Sequence, residues 1–461
     1  MKNILFVSDT FLEGGMETRI AEANREYKKH NIKPFLACDT LKKTVYCEDF
    51  CDISDNFNFI PTNSQLYVKD VIENSNKLIS FCKKNKIDFI ECQPFWNLLP
   101  TAITAQQCKI PIAYTLHGTT SGNFINPNHS EASILFYLLF ALGVDQIYAV
   151  SKRLSDIYSY ISKDIIVTQN GIPLNNFPKK VFYRTGIFAI ASRLDQPKTA
   201  TIIDFLPKLY TSEYSSRIDI YGDGDNFNTL KNFITKNNYD DKVCLHGWVD
   251  NLKQKFIKNQ YDCVFGVGRV AIDAISTKTP VGVVGSDGFV GLVNKDNLPY
   301  FTKNNFLSSG LQEINDIQKE LTDLYRNPKK YTFNKNDLDM LDASKIWQQH
   351  ILLEQNLVFR EKEAIKEIMD ILIHNQNEEL LLGTNLIGSF TSILNKYNQN
   401  KLIPAELLIG TASALTNKIS KYQEQLSSLE GSLAKLEAST SWRITKPLRK
   451  ANKIIHNIKK S

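Results

Sequence analysis

Short, wholly apolar runs alternate with amphipathic segments from the first residues onward, and after about residue 180 the alternation starts afresh. "NILFVSD" reads as a strand, and the glycine-bearing "LEGG" leads into the helix "METRIAEANREYKKH". Strand "KPFLACD", helix "VKDVIENSNKLISFCKKN", strand "IDFIECQ", helix "LLPTAITAQQC" and strand "IPIAYTLHG" follow, and "DQIYAVS" and "DIIVTQNG" are also strand-like. Beyond "NNFPKKVFYRTG" the runs "IFAIAS", "SRIDIYG", "KVCLHGW", "YDCVFGV" and "PVGVVG" repeat the pattern. Strands with no polar face must be covered on both sides, so this alternation predicts α/β architecture with parallel sheets between helices. Two Rossmann-like, doubly wound domains in tandem are expected, residues 1–180 and 181–345, with ligands held between the carboxyl ends of their strands.

From about Asp342 the strand pattern ends, and residues 346–417 read as a helical extension with no evident chemistry. Ala412, Leu415, Ile419, Tyr422, Leu426, Leu429, Leu433 and Leu436 then step alternately by three and four. That seam fits a short coiled coil over 418–440, joining a second copy of the chain through residues 412–436, or a helix packed on its own protein. Residues 441–461 form a basic amphipathic tail. Its apolar stripe of Ile444, Leu448, Ala451, Ile455 and Ile458 is flanked by cations, with Trp442 at the entrance. Trp442, Arg443, Lys446, Arg449, Lys450 and Lys453 are the groups expected to meet an anionic membrane surface; the alternative is a solvated basic end. The tail from Trp442 holds seven Lys/Arg and no acid, while the whole chain carries a net charge of only +6. The body is therefore close to neutral, which disfavours a general nucleic-acid-binding role.

The longest apolar run, "ILFYLLFALGV", is about half a membrane span, and "MKNILFVSDT" turns polar too soon for a signal peptide. The eight cysteines include no C-x-x-C pair and have no histidine cluster beside them. They are expected to be reduced core residues of a cytosolic protein, not metal ligands or disulfides. The expected location is cytoplasmic, peripheral on the inner face of the cell membrane.

The strand ends carry a consistent set of polar groups. In "EGGMETR", Gly14 and Gly15 precede a helix, where backbone can approach a ligand closely and unpaired N–H groups attract anions. The G-x-G-x-x-G of a dinucleotide site is missing. "YTLHGTT" puts His117 at a strand end, as a structural or a functional group. In "AIASRLDQPK", Arg193 and Lys198 stand five apart at a strand–loop–helix junction, a spacing that could grip one diphosphate. "IYGDGDN" brings Gly222 and Gly224 into a second turn, and Asp223 and Asp225 read as turn residues sooner than as metal ligands. In "FGVGRVAIDA", Gly268 precedes a helix that opens on Arg269 and carries Asp273 one turn later. A cation at a helix N-terminus opposes the macrodipole. Two readings fit: a surface ion pair of little worth, or an anion such as a phosphate docked there.

Taken in order, GG-x-E, strand–HG, "YAVS", "QNGIP", "SRLDxxxK", "GDGD", "LHGWVDN" and "AIDAISTKTPV" resemble the retaining GT-B glycosyltransferases of family 4 over roughly residues 1–345. The resemblance implies a nucleoside diphosphate sugar as donor substrate, no cofactor and no essential metal. It assigns Arg193 and Lys198 to the donor diphosphate, Gly14 and Gly15 to the loop facing it, and His117 to the transferred sugar. Gly222, Gly224, Gly268 and Arg269 fall on the donor side, and Asp273 where a carboxylate meets the nucleotide ribose. The family's other glutamate, eight positions earlier, is replaced by Phe265. The tail "STSWRITKPLRK" is similar to segments in transferases of bacterial surface polysaccharide assembly, which implies a glycan acceptor, lipid-linked and membrane-proximal. Two other functions stay open: a catalytically weak GT-B scaffold that recruits other transferases, and a nucleotide-sugar epimerase.

Overall fold

A computed structural model of the chain describes residues 1–61, 67–118, 121, 133–159, 161–162, 164–175, 177–178, 182–285, 287–308, 311, 313–314, 316–376 and 386–397. The heptad seam 412–436, the coiled-coil segment 418–440 and the basic tail 441–461 lie outside the described residues. The chain divides into two compact units, residues 1–122 with 138–382 and residues 123–137 with 383–461. The described elements of the smaller unit include the helix Ile387–Tyr397.

The larger unit contains both sheets. The first comprises β1 (Asn3–Phe11), β2 (Lys33–Leu41), β3 (Ile53–Ser54), β4 (Phe89–Cys92), β5 (Ile112–Leu116), β6 (Gln146–Ala149) and β7 (Ile166–Val167), in the order β3-β2-β1-β4-β5-β6-β7. All its pairings are parallel. The second comprises β8 (Ile187–Ala191), β9 (Arg217–Tyr221), β10 (Val243–Gly247), β11 (Cys263–Gly266), β12 (Val281–Gly285) and β13 (Gly288–Leu292), in the order β10-β9-β8-β11-β12-β13. Both orders reverse direction once, between β1 and β4 and between β8 and β11. A doubly wound sheet opens a crevice at such a point, outside the carboxyl ends of the strands.

Burial explains the apolar runs. Ile4 through Asp9 of β1 are buried without interruption, as are all residues of β11 and β12. Helices α1 (Gly15–Lys29), α2 (Val68–Asn85) and α3 (Leu98–Cys108) connect strands of the first sheet. The last two coincide with the segments read from periodicity. Two strands were not anticipated: the two-residue β3 beside β2, and β13, which pairs antiparallel with β12 at the edge of the second sheet. The β13 sequence, GFVGL, has glycines at positive φ, Gly288 and Gly291, which read locally as loop. The cysteines are also less uniformly internal than expected. Cys38, Cys82, Cys92 and Cys263 are buried, but Cys51 is exposed.

The chain crosses between the sheets twice, and the crossings lie side by side. Ile172 N–H donates to Leu341 O at 2.6 Å, and Ala343 N–H donates to Ile172 O at 3.0 Å. A Cβ on Gly171 would stand 2.5 Å from Ala343 Cα, so only glycine fits where the two segments touch. The helix Ala343–Gln355 then returns to the first sheet. Ala343, Trp347 and Ile351 join Ile4, Phe6, Tyr27, Phe89 and Tyr148 in one buried cluster.

Candidate functional site

The first sheet's crevice is bordered by the start of α1. Glu17, in the first turn, is buried and accepts the Leu12 N–H at 3.1 Å. Burial raises its carboxyl above the usual range, against the hydrogen bonds it accepts and the positive charge of Arg193. Arg193 belongs to the loop after β8, so this electrostatic contact joins the two sheets' loops. A second link runs from Glu13, whose Oε2 accepts Trp248 Nε1–H at 2.7 Å and pairs with Lys42 Nζ at 2.6 Å. Gly15 stands against the second sheet directly: a Cβ there would lie 3.5 Å from Arg269 Cβ.

Arg193 and Lys198 share one acid. Asp195 caps the helix Gln196–Tyr210 by accepting the Lys198 N–H at 3.3 Å, and its Oδ2 pairs with Lys198 Nζ at 3.0 Å and Arg193 at 3.5 Å. Arg193 is 72% exposed and Lys198 29% exposed along their side chains. The glycine turn after β9 supports this loop from beneath. A Cβ on Gly222, whose φ is 147°, would lie 1.8 Å from Ser192 O, and one on Gly224 would lie 2.8 Å from Leu194 O. These glycines therefore let two backbones touch, and Asp223 Oδ1 accepts the Gly224 N–H within the turn.

Arg269 departs from the surface ion-pair reading of its sequence. It is neither at the surface nor free to meet an anion alone. Its Nε–H donates to Asp273 Oδ1 at 2.9 Å, and its NH1 donates to Glu22 Oε2 at 2.8 Å, with a second short bond from NH2 to Glu22 Oε1. Side-chain exposure is 13% for Arg269, 8% for Glu22 and 16% for Asp273, so this fork is largely shielded from water. Burial opposes the charge on Arg269, but Asp273 and Glu22 outweigh it and hold the guanidinium charged. Asp273 is pushed up by burial against the pull of Arg269. Phe265 points elsewhere. It is fully buried and packs on Phe188, Phe205 and Phe289 in the apolar layer of the second sheet.

His117 follows β5 and contacts Gln93, which follows β4, through Nε2 and Oε1 at 2.5 Å. Burial and the nearby charge of Arg19 push its imidazole down to about 3, so it is neutral near pH 7. Behind Gln93 lies Glu91. Its Oε1 accepts from Gln93 Nε2 at 3.1 Å and from Thr115 Oγ1 at 2.6 Å. Its Oε2 is 3.7 Å from His350 Nε2, which is 3.2 Å from Glu354 Oε1. Tyr27 closes the row by donating to Glu354 Oε2 at 2.6 Å. Arg19, 2% exposed, donates to Thr168 Oγ1, Gln169 O and Asn170 Oδ1 and lies over the Trp347 ring at 4.6 Å.

Residues 13–176 match the profile of Glycosyltransferase Family 4. Over that segment the chain is similar to the glycosyltransferases of family 4. The match covers Gly14, Gly15, Glu17, Glu91 and His117 and ends before Arg193. Similarity over both sheets comes from solved structures. HepE from Anabaena, in complex with UDP and glucose, aligns over 77% of this chain and 100% of its own, with a TM-score of 0.57 and 15% identity. The lipopolysaccharide outer core galactosyltransferase WaaB aligns over 77% and 99%, with a TM-score of 0.52 and 14% identity. Sucrose-phosphate synthase from Thermosynechococcus elongatus aligns over 81% and 99%, with a TM-score of 0.52 and 13% identity. At such identities the likeness is one of fold, the GT-B pairing of two Rossmann-like sheets. No curated protein matches the sequence.

Several groups around the crevice were not singled out from sequence: Arg19, Glu22, Glu91, His350 and Glu354. The region of the last two had been read as helix without chemistry. The i,i+4 spacing of His350 and Glu354 was the one local signal for them. His350 is raised to about 9, since Glu354 and Glu91 outweigh the effect of burial. Its stabilising contribution is therefore complete below about pH 6.5, the ordinary histidine value, and is lost as pH rises through about 9. The urea midpoint should fall between pH 7 and pH 10, and His350→Gln should flatten that fall. A wild-type midpoint constant over that range would show that His350 is neutral in the fold.

Proposed function

We propose that the protein transfers a sugar from a nucleoside diphosphate sugar to a glycan acceptor, with the donor bound between the carboxyl ends of the two sheets. The observation that carries this reading is the approach of two helix starts across the crevice, Gly15 of one against Arg269 of the other. Helix N-termini favour phosphate, and the exposed Arg193 and part-exposed Lys198 add two cations on the same side as Gly268. A UDP-hexose is the first donor to test, because the HepE structure holds UDP and glucose.

The residues divide the work. Arg193 and Lys198 exchange Asp195 for the diphosphate and neutralise it as it leaves. Gly14 and Gly15 bring backbone N–H groups to the same phosphates. His117, neutral, accepts from or donates to a sugar hydroxyl. Asp273 receives the ribose hydroxyls, and Arg269 orients it, since that guanidinium already has two carboxylates. Gly222 and Gly224 keep the Arg193 loop in place. Bond breaking places oxocarbenium-like charge on the sugar. The acceptor hydroxyl attacks from the face the diphosphate leaves, and a phosphate oxygen takes its proton, which retains configuration. Thermal stabilisation by UDP-hexoses over unrelated nucleotides supports donor binding through mass action; no shift with any nucleotide sugar sinks the reading.

The acceptor is proposed to be a lipid-linked bacterial surface glycan, reached from the inner face of the membrane through the basic tail. Deleting residues 442–461 should release the protein from anionic liposomes and leave activity on a soluble acceptor intact. Sedimentation with liposomes as before would remove the membrane role. One observation favours a second reading, a scaffold with weak activity: the position of the family's donor-contact glutamate holds Phe265, turned into the core. Turnover of a nucleotide sugar separates the two.

A further inference from the structure

Gln93 is fully buried between two groups that make opposite demands on its amide. A carboxylate can only accept, so an ionised Glu91 takes the amide NH2, as the 3.1 Å contact from Gln93 Nε2 to Glu91 Oε1 requires. The amide carbonyl is then the end presented to His117, at 2.5 Å from Nε2. A carbonyl also only accepts. His117 must carry its proton on Nε2, and Nδ1 is left as the ring's acceptor.

The charge on Glu91 is itself maintained from three other elements. Thr115 on β5 donates to Oε1, Arg19 on α1 lies within electrostatic reach, and His350 on the returning helix faces Oε2. Burial works against this charge, yet these partners bring the carboxyl down to about 2. Glu354 and Tyr27 complete the surroundings of His350, and the Tyr148 ring lies 4.5 Å from the imidazole. We propose that Glu91 and His350 are positioning residues for His117: the ionised carboxylate orients the Gln93 amide, the amide selects the His117 tautomer, and Nδ1 is offered to a hydroxyl of the donor sugar. The last step rests on the sugar-transfer reading; the wiring behind it does not.

Glu91, His350 and Glu354 have atoms without hydrogen-bond partners and lie close enough together to surround a cation. Charge favours a proton there. The two carboxylates are already balanced by Arg19 and an imidazolium, and a divalent ion would displace the proton and add surplus positive charge beside Arg19.

The test uses the full chain, with nitrogen-15 NMR of its histidines in the absence of ligand. Glu91→Gln can donate as well as accept, so the Gln93 amide loses its fixed direction. The expected result is a shift of His117 from the Nε2–H form toward the Nδ1–H form. In steady-state assays, kcat should fall about tenfold or more while KM for the donor changes by less than about threefold, the pattern of a wrong tautomer. Gln93→Leu leaves the charges alone and should reproduce both effects if Glu91→Gln does not fold. In His350→Gln the carboxylate loses its imidazolium, so kcat should acquire an acid limb that the parent lacks. An unchanged His117 tautomer in folded Glu91→Gln and Gln93→Leu overturns the proposal, and so does stoichiometric metal in native mass spectra of the purified protein. A shifted tautomer together with a parent that turns over no nucleotide sugar upholds the wiring and removes the transfer reading.

Discussion

Lys198→Ala should lower turnover by about 10²–10³, the loss expected on removal of one preorganised donor of positive charge. The effect should fall on kcat more than on KM, because the charge on the bridging oxygen grows as the sugar departs. The fold should hardly notice. Among the described residues Lys198 pairs with Asp195 alone, at 3.0 Å and part-exposed, and such pairs contribute at most about 1 kcal/mol. Asp195 keeps its capping bond to the backbone N–H of residue 198, which alanine also supplies. Steady-state kinetics with a UDP-hexose, beside a melting curve, separates the two effects. A folded Lys198→Ala protein that works at the parent rate would show that the diphosphate is not held there.

Arg269→Ala should be strongly destabilising, costing about 3–5 kcal/mol, because it leaves buried charges without their partner. Glu22 and Asp273 both pair with this one guanidinium, and Lys253 adds only a more distant positive charge. Without it, two carboxylates stay close together in a shielded place. Asp273 is already raised by burial, and losing Arg269 raises it further. A raised carboxyl favours the folded state once protonated, so the deficit should be greater at pH 8 than at pH 5. Urea unfolding at both pH values measures this. Adding Glu22→Gln and Asp273→Asn to Arg269→Met should recover most of the loss, since buried ion pairs exchange for neutral groups at small net cost. A variant as stable as its parent would mean that Glu22 and Arg269 do not meet in solution.

The Arg269 helix shows where local reading stops. Its contact with Asp273 is an i,i+4 relation within one helix, and it was visible as such. Glu22 is 247 residues away, on a helix of the other sheet, and nothing near Arg269 announces it. Phe265 was recognised as a departure from the family pattern, but only packing against Phe205 and Phe289 shows that the side chain has left the crevice for the core. Gly222 and Gly224 read as a turn, but only the tertiary structure shows that the turn lies against the backbone of Ser192 and Leu194. His350 and Glu354 sat in a stretch with no apparent chemistry, because their partner Glu91 comes from β4, more than half the chain earlier.

Periodicity by itself determined most strands of the two sheets, the limits of α2 and α3 and the strand ends where polar groups gather. Each of these follows from which neighbours along the chain are apolar, and burial acts on that pattern residue by residue. Tertiary structure alone decided the partners: which acid holds Arg269, which side Phe265 faces, and how His117 connects to a helix that returns from beyond the second sheet. Ion pairs and buried hydrogen bonds act over a few ångströms in space and are blind to separation along the chain, so their residues carry no local mark.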